Sequence, residues 1–248
     1  MIPVPNLPDY YGVASAELFQ EIDKALFRQP RYASEETAPM LRGRPNEEIT
    51  VHKAEHVGEY TIRPIEVSGS GAGDTLNRWL LDEGFQAIDE ANLQYYTSNE
   101  FVFLAIRVDT DRMKGSMRPL RISFQSDQIF YPLKFSSHQG VFHCGIYLLT
   151  HTRLEEAKLR KIIKWGFKYR PNLLDPLYRH RTTPFSKQIS WKQNIPKIAK
   201  ELHAGSPLAA TKVPPPSETV WATYIGGIIN QKSFPLEKAQ SDFFIDGN

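Results

Sequence analysis

The segment His52-Lys53-Ala54-Glu55-His56 has the spacing H-x-x-E-H. On a helix, this spacing sets two histidines one turn apart, where they hold zinc while the glutamate serves as the general base of a hydrolase. That chemistry needs a helix to fix its ligands. Here β-branched Thr50 and Val51 precede the motif and Gly58 follows it, so the surrounding sequence reads as two strands meeting near Glu55–Gly58. On an unbroken strand, His52 and His56 share a face but stand too far apart for one ion. Zinc held by His52, Glu55 and His56 is therefore the alternative, and a protein without a cofactor is the first expectation.

Other reactive residue types give less. His143 and Cys144 are neighbours in a strand-like run, VFHCGIYLLT, and adjacent strand residues point to opposite faces, so they form no thiol dyad. As the single cysteine, Cys144 excludes an internal disulfide and reads as a core residue. No G-x-S-x-G or paired-carboxylate arrangement is legible, which favours a non-catalytic protein. The loop SGSGAGD, Ser68–Asp74, has glycines at 69, 71 and 73 but lacks the third glycine of a dinucleotide fingerprint and the Gly-Lys of a P-loop. Asp74 would repel a phosphate at the helix start, so it reads as the N-cap of a helix over 75–83 that Gly84 ends.

The strongest functional signal is charge. Between His151 and Gly205 there are thirteen Lys and Arg against four Asp and Glu, a net of +9, while the whole chain carries only +2. Lys158, Arg160, Lys161, Lys164 and Lys168 surround an apolar helical stripe, and Arg170, Arg179 and Arg181 follow, with Trp165, Tyr169 and Tyr178 interleaved. Such a surface suits acidic partners: other protein subunits first, an anionic membrane surface second. Nucleic acid ranks behind both, since no known binding module is present.

The elements that must position these residues follow from pattern. SAELFQEIDKALF predicts a helix over 15–27, with Ser15 as N-cap and Leu18, Phe19, Ile22 and Leu26 on one face. The runs YTIRPIEV, FVFLAIRVDT, MRPLRISFQ, QIFYPLKFS and VFHCGIYLLT predict strands, with a hairpin turning at Ser126–Asp127. Thr152 and Glu155 form a capping box opening a basic helix, a second helix runs to Gly205, and TVWATYIGGII returns to strand. One helix alone interrupts the strands before residue 150. The fold expected is α+β, a mainly antiparallel sheet with helices packed on it, a basic helical insertion and extended terminal arms. As one domain over 1–248, it divides into an N-terminal arm and helix (1–48), a sheet core (49–150), the basic insertion (151–210) and a returning strand with a C-terminal arm (211–248). The proline-rich ends, Met1–Val13 and Phe234–Asn248, read as arms that dock on a neighbour. No apolar run reaches the roughly 18 residues of a membrane span.

From Val51 onward the order VGEYTIRPIEV, LNRWLLDEGF, NEFVFLAIRV, MRPLRISFQSDQIFYPLKFS, VFHCGIYLLT and WATYIGGIINQKSFPLEKAQSDFFI resembles a family of uncharacterised bacterial proteins, the domain of unknown function number twenty-three thirty. The resemblance covers about residues 50–150 and 219–245 and leaves 151–205 as an insertion. It implies a secreted or membrane-associated bacterial α+β domain, either extracytoplasmic or peripheral to a membrane, and brings no catalytic residues. The functional expectation is a non-catalytic binding or scaffolding subunit of a larger assembly. A zinc-dependent hydrolase and an extracytoplasmic ligand-binding domain are the alternatives.

Overall fold

The computed structural model describes residues 1–27, 49–113, 115–136, 141–150, 152–155, 185–190, 219–230 and 243–246. In chain order the elements are β1 (Ile2–Val4), β2 (Tyr10–Val13), α1 (Leu18–Phe27), β3 (Ile49–Val51), β4 (Glu55–Val57), β5 (Tyr60–Val67), α2 (Ala72–Asp82), α3 (Glu90–Ser98) and β6 (Val102–Val108). They continue with β7 (Leu120–Ser123), β8 (Gln128–Tyr131), β9 (Val141–Thr150), β10 (Phe185–Ser190), β11 (Thr219–Asn230) and β12 (Phe243–Asp246). The chain divides into two compact units, Met1–Val13 with Tyr32–Ser126, and Ala14–Arg31 with Asp127–Asn248. Every described strand pair is antiparallel, so the fold is α+β with a sheet-rich core.

The first unit has three layers. Its central sheet runs β1-β6-β5-β3, with β4 also on β5. Alternation along β5 and β6 sends Tyr60, Ile62, Val102 and Leu104 to one face, where Tyr11, Val13, Leu120 and Ile122 of the β2–β7 ribbon cover them. Ile65 and Phe103 face the other side, towards α2 and α3. In α2, Ala72, Thr75, Leu76, Trp79 and Leu80 are buried, the i, i+3, i+4 stripe of a helix lying on a sheet. The helix begins at Ala72, with Gly71 at the N-cap position and no side-chain cap. Asp74 thus stands in the first turn, where its charge favours the helix dipole, and is not the cap the sequence suggests.

A second helix, α3, was not expected. Its motif EANLQYYTS buries only Asn92, Leu93 and Tyr96, too short a stripe to show periodicity, and Tyr and Thr favour strands. Asp89 starts it by accepting hydrogen bonds from the Ala91 and Asn92 amides at 3.1 and 3.3 Å.

In the second unit, β11 lies between β9 and β10. Ile22, Ala25 and Leu26 of α1 pack with Ile189, Val220, Ala222 and Tyr224 on one face of that sheet, while Cys144, Ile146, Leu148 and Ile225 join Leu133 and Leu154 on the other. Phe19, expected on the buried face of α1, is 51 % exposed, with its ring 6.0 Å from that of Tyr147.

Two expectations are corrected. The hairpin at Ser126–Asp127 does not form: β7 pairs with β2, β8 pairs with β12, and the chain passes between units at this point. The terminal arms pair within the chain. Ile2–Val4 lies on Val102–Leu104, Tyr10–Val13 on Leu120–Ser123, and Phe243–Asp246 on Gln128–Tyr131. Their backbone groups satisfy their own sheets.

Candidate functional site

The H-x-x-E-H residues lie on strands and a loop. β3 pairs with β5 in the register Thr50↔Glu66 and Val51↔Ile65, and the His52 amide still donates to the Pro64 carbonyl at 2.9 Å. β4 then resumes at Glu55↔Ile62 and His56↔Thr61. Three residues, His52 to Ala54, therefore oppose two, Arg63 and Pro64, which defines a bulge. Pro64 explains its place. The Pro64 carbonyl faces the β3–β4 edge, so its missing N–H is on that side too, and the ladder is short of a donor where the extra residue enters.

The inserted residue changes the side-chain alternation. His52 emerges on the face of Pro64 and Glu66, with its Nε2 2.5 Å from Glu66 Oε1. His56 emerges on the opposite face, with Nδ1 3.0 Å from Thr61 Oγ1. Sequence reasoning set both histidines on one face of an unbroken strand; the bulge separates them. Among the described residues, no group of three or more His, Cys, Asp or Glu side chains is placed to hold a metal ion.

At the Tyr60 end of β5, a two-residue turn, Gly58–Glu59, joins β4 to β5. Gly58 has φ 58°, the left-handed conformation that favours glycine, and a Cβ there would come within 2.6 Å of Arg118 Nη2 and push on that guanidinium. Glu59 is 2 % exposed, and its carboxylate accepts from Arg118 N at 2.7 Å, Nη2 at 2.7 Å and Nε at 3.2 Å. Burial alone would raise the Glu59 pKa, but these hydrogen bonds and the guanidinium charge outweigh it and hold the carboxyl below its ordinary value. This pair fastens the fold.

The Val67 end of β5 differs. There a cleft of about 810 Å³ opens, lined by Ile49, Thr50, Glu66, Ser68, Ser70 and Glu100, with Val67 and Phe101 behind them. The glycine loop of the sequence forms one wall. Glu100 is the surprise. It has φ 56° and is the one non-glycine residue with positive φ among those described. The cause is the way α3 ends: Phe101 N–H bonds Tyr96 O at 3.1 Å and Glu100 N–H bonds Thr97 O at 3.2 Å, a Schellman motif that places residue 100 in the left-handed region. Helix α2 ends identically, through Phe85 to Leu80 and Gly84 to Leu81, with Gly84 at φ 76°. Each closure is backed by an aromatic contact, Trp79 on Phe85 and Tyr96 on Phe101. Glycine fills the left-handed position in one helix, and glutamate fills it in the other.

Cys144 is buried in the second unit. Burial pushes its thiol up to about 11, only partly countered by the Tyr131 hydroxyl, so it is no ready nucleophile. The basic candidates Lys158, Arg160, Lys161, Lys164, Trp165, Lys168, Tyr169, Arg170, Tyr178, Arg179 and Arg181 lie outside the described residues, as does the helix after the Thr152–Glu155 box.

A sheet-rich α+β chain of this topology defines a class by fold alone. Its family is given by sequence: residues 1–218 match the family described as uncharacterized protein conserved in bacteria (DUF2330), and the chain belongs to it. No curated protein and no solved structure matches the chain significantly. The bounds of the match take in residues 151–205. The match stops short of the closing segment WATYIGGIINQKSFPLEKAQSDFFI, on which part of the resemblance was read. No described helix is long and apolar enough to cross a membrane.

Proposed function

We propose that the protein is a non-catalytic binding or scaffolding subunit of a larger bacterial assembly, which meets an acidic protein partner through its basic segment. The observation behind this reading is how charge divides. The first unit holds ten Lys and Arg against sixteen Asp and Glu, a net of −6, which leaves +8 for the second in a chain of +2. Within the first unit the fold itself engages cations: Arg63 pairs with Glu83 at 3.0 Å, Arg112 with Asp109 at 2.8 Å and Arg118 with Glu59 at 2.7 Å. Arg107 and Arg121 lie over the Phe85 and Tyr10 rings at 4.8 and 4.9 Å. The excess positive charge sits in the second unit and concentrates between residues 151 and 205, where it would steer and orient an acidic partner. Trp165, Tyr169 and Tyr178 would add buried contact area.

The terminal arms have a smaller part than the sequence suggested, since their strands complete the protein's own sheets. The zinc-hydrolase alternative draws no support from histidines on opposite faces of a sheet. The test is the triple substitution Lys158→Glu, Lys161→Glu and Lys164→Glu. Association in pull-downs from the native cells is expected to fall at least tenfold while the circular dichroism spectrum is unchanged. Undiminished association would overturn the reading. Association lost on adding detergent alone would redirect it to an anionic membrane surface.

A further inference from the structure

The geometry points to a second binding site, independent of the basic segment: we infer that the cleft at the Val67 end of β5 takes an organic cation, a primary ammonium. Its volume, about 810 Å³, lies within the roughly 300–1,000 Å³ of small-molecule sites and far exceeds a single ion. Its polar lining is anionic or hydroxylic: Glu66, Glu100, Thr50, Ser68 and Ser70. Among the described residues the Glu100 carboxylate has no hydrogen-bond or ion-pair partner, and Glu66 offers Oε2, since His52 engages its Oε1.

Other ligand classes fit less well. An anion would face Glu66 and Glu100 directly, with Asp74 in the first turn of the adjoining helix. A divalent ion needs several converging ligands, and no such group occurs among the described residues. An ammonium needs only one or two carboxylates and hydroxyl acceptors, which the cleft provides.

The ammonium could belong to a free amine or to a lysine side chain, and one titration separates the two. The full-length protein is titrated calorimetrically with cadaverine, with a blocked lysine-containing tripeptide, and with 1,5-pentanediol as the uncharged counterpart of the diamine. Saturable binding of at least one amine and none of the diol is expected. Glu66→Gln and Glu100→Gln should each weaken it roughly tenfold, the usual worth of one charge-assisted hydrogen bond. Glu100→Gly should lose binding to the same extent while melting higher than wild type, which separates a lost ligand contact from a damaged fold. Binding of the tripeptide alone would assign the site to lysine side chains, and binding of cadaverine alone to free amines. No heat from either amine up to millimolar concentration, or affinity unchanged in both glutamine variants, would overturn the inference.

Discussion

At one end of β5, Glu59 is buried, paired to a guanidinium and held in a turn that opens with a glycine at positive φ. At the other end, Glu66 and Glu100 stand over an open cleft, one of them on a backbone conformation that its side chain disfavours. The strand and the charge are the same, yet the carboxylates are handled in opposite ways. A charge whose every acceptor is satisfied inside the protein contributes to folding. A charge held outward in a costly conformation is available for something else. Substitutions at the two ends should therefore separate stability from binding.

The largest effect is expected from Arg118→Ala, which leaves the 2 % exposed Glu59 carboxylate with the backbone amide of residue 118 as its remaining donor and should cost about 3 kcal/mol in urea unfolding. A loss below about 1 kcal/mol would mean that the pair does not fasten this end. Glu59→Gln should cost less, about 1–2 kcal/mol, because Arg118 is 45 % exposed and can return to water. This effect should depend on pH. The folded carboxyl titrates below its unfolded value, so the unfolded chain binds more protons between the two. The stabilisation is full above the unfolded carboxylate range, near ~4.3, and disappears as pH falls through the depressed folded value. Melting curves of wild type and Glu59→Gln should converge in acid, and a constant gap would contradict the assignment.

The matched helix ends sharpen the comparison with effects of opposite sign. Gly84→Ala should destabilise by about 1 kcal/mol, and Glu100→Gly should stabilise by about the same, since both residues occupy the left-handed position of one motif. Equal signs in thermal melts would show that Glu100 is not strained. Smallest of all, Glu66→Gln removes a partly exposed pair with His52 and should move stability by no more than about 0.5 kcal/mol.

Sequence pattern carried the α+β class, the main strands and the end of α2 at Gly84, because alternation, the helical stripe and glycine chemistry are local. Helix α3 escaped because three buried residues leave too short a stripe, although Asp89 was a readable cap. β10, FSKQIS, escaped for a related reason: a short polar strand is made by its neighbours β11 and α1, not by its own hydrophobicity. Pro64 within a strand run was the available sign of the bulge, and reading it would have separated His52 from His56 beforehand. The partners of β7 and β8 lie more than a hundred residues away, so no local pattern distinguished them from a hairpin. The cleft depends on Glu100 and Glu66, brought together by the β5–β6 pairing, and no motif spans them.

The rule drawn from β5 extends to the whole chain. Arg63, Arg107, Arg112, Arg118 and Arg121 of the first unit are engaged by its fold, and the chain's surplus of positive charge lies in the segment 151–205. Whether that charge serves association is tested most directly by the native mass of the tagged protein, gently extracted from its own cells, beside the Lys158→Glu, Lys161→Glu, Lys164→Glu variant. A large particle with stoichiometric companions, lost in the variant, is the predicted result. A wild-type particle near 28.4 kDa, alone, would contradict the claim that this is a binding subunit.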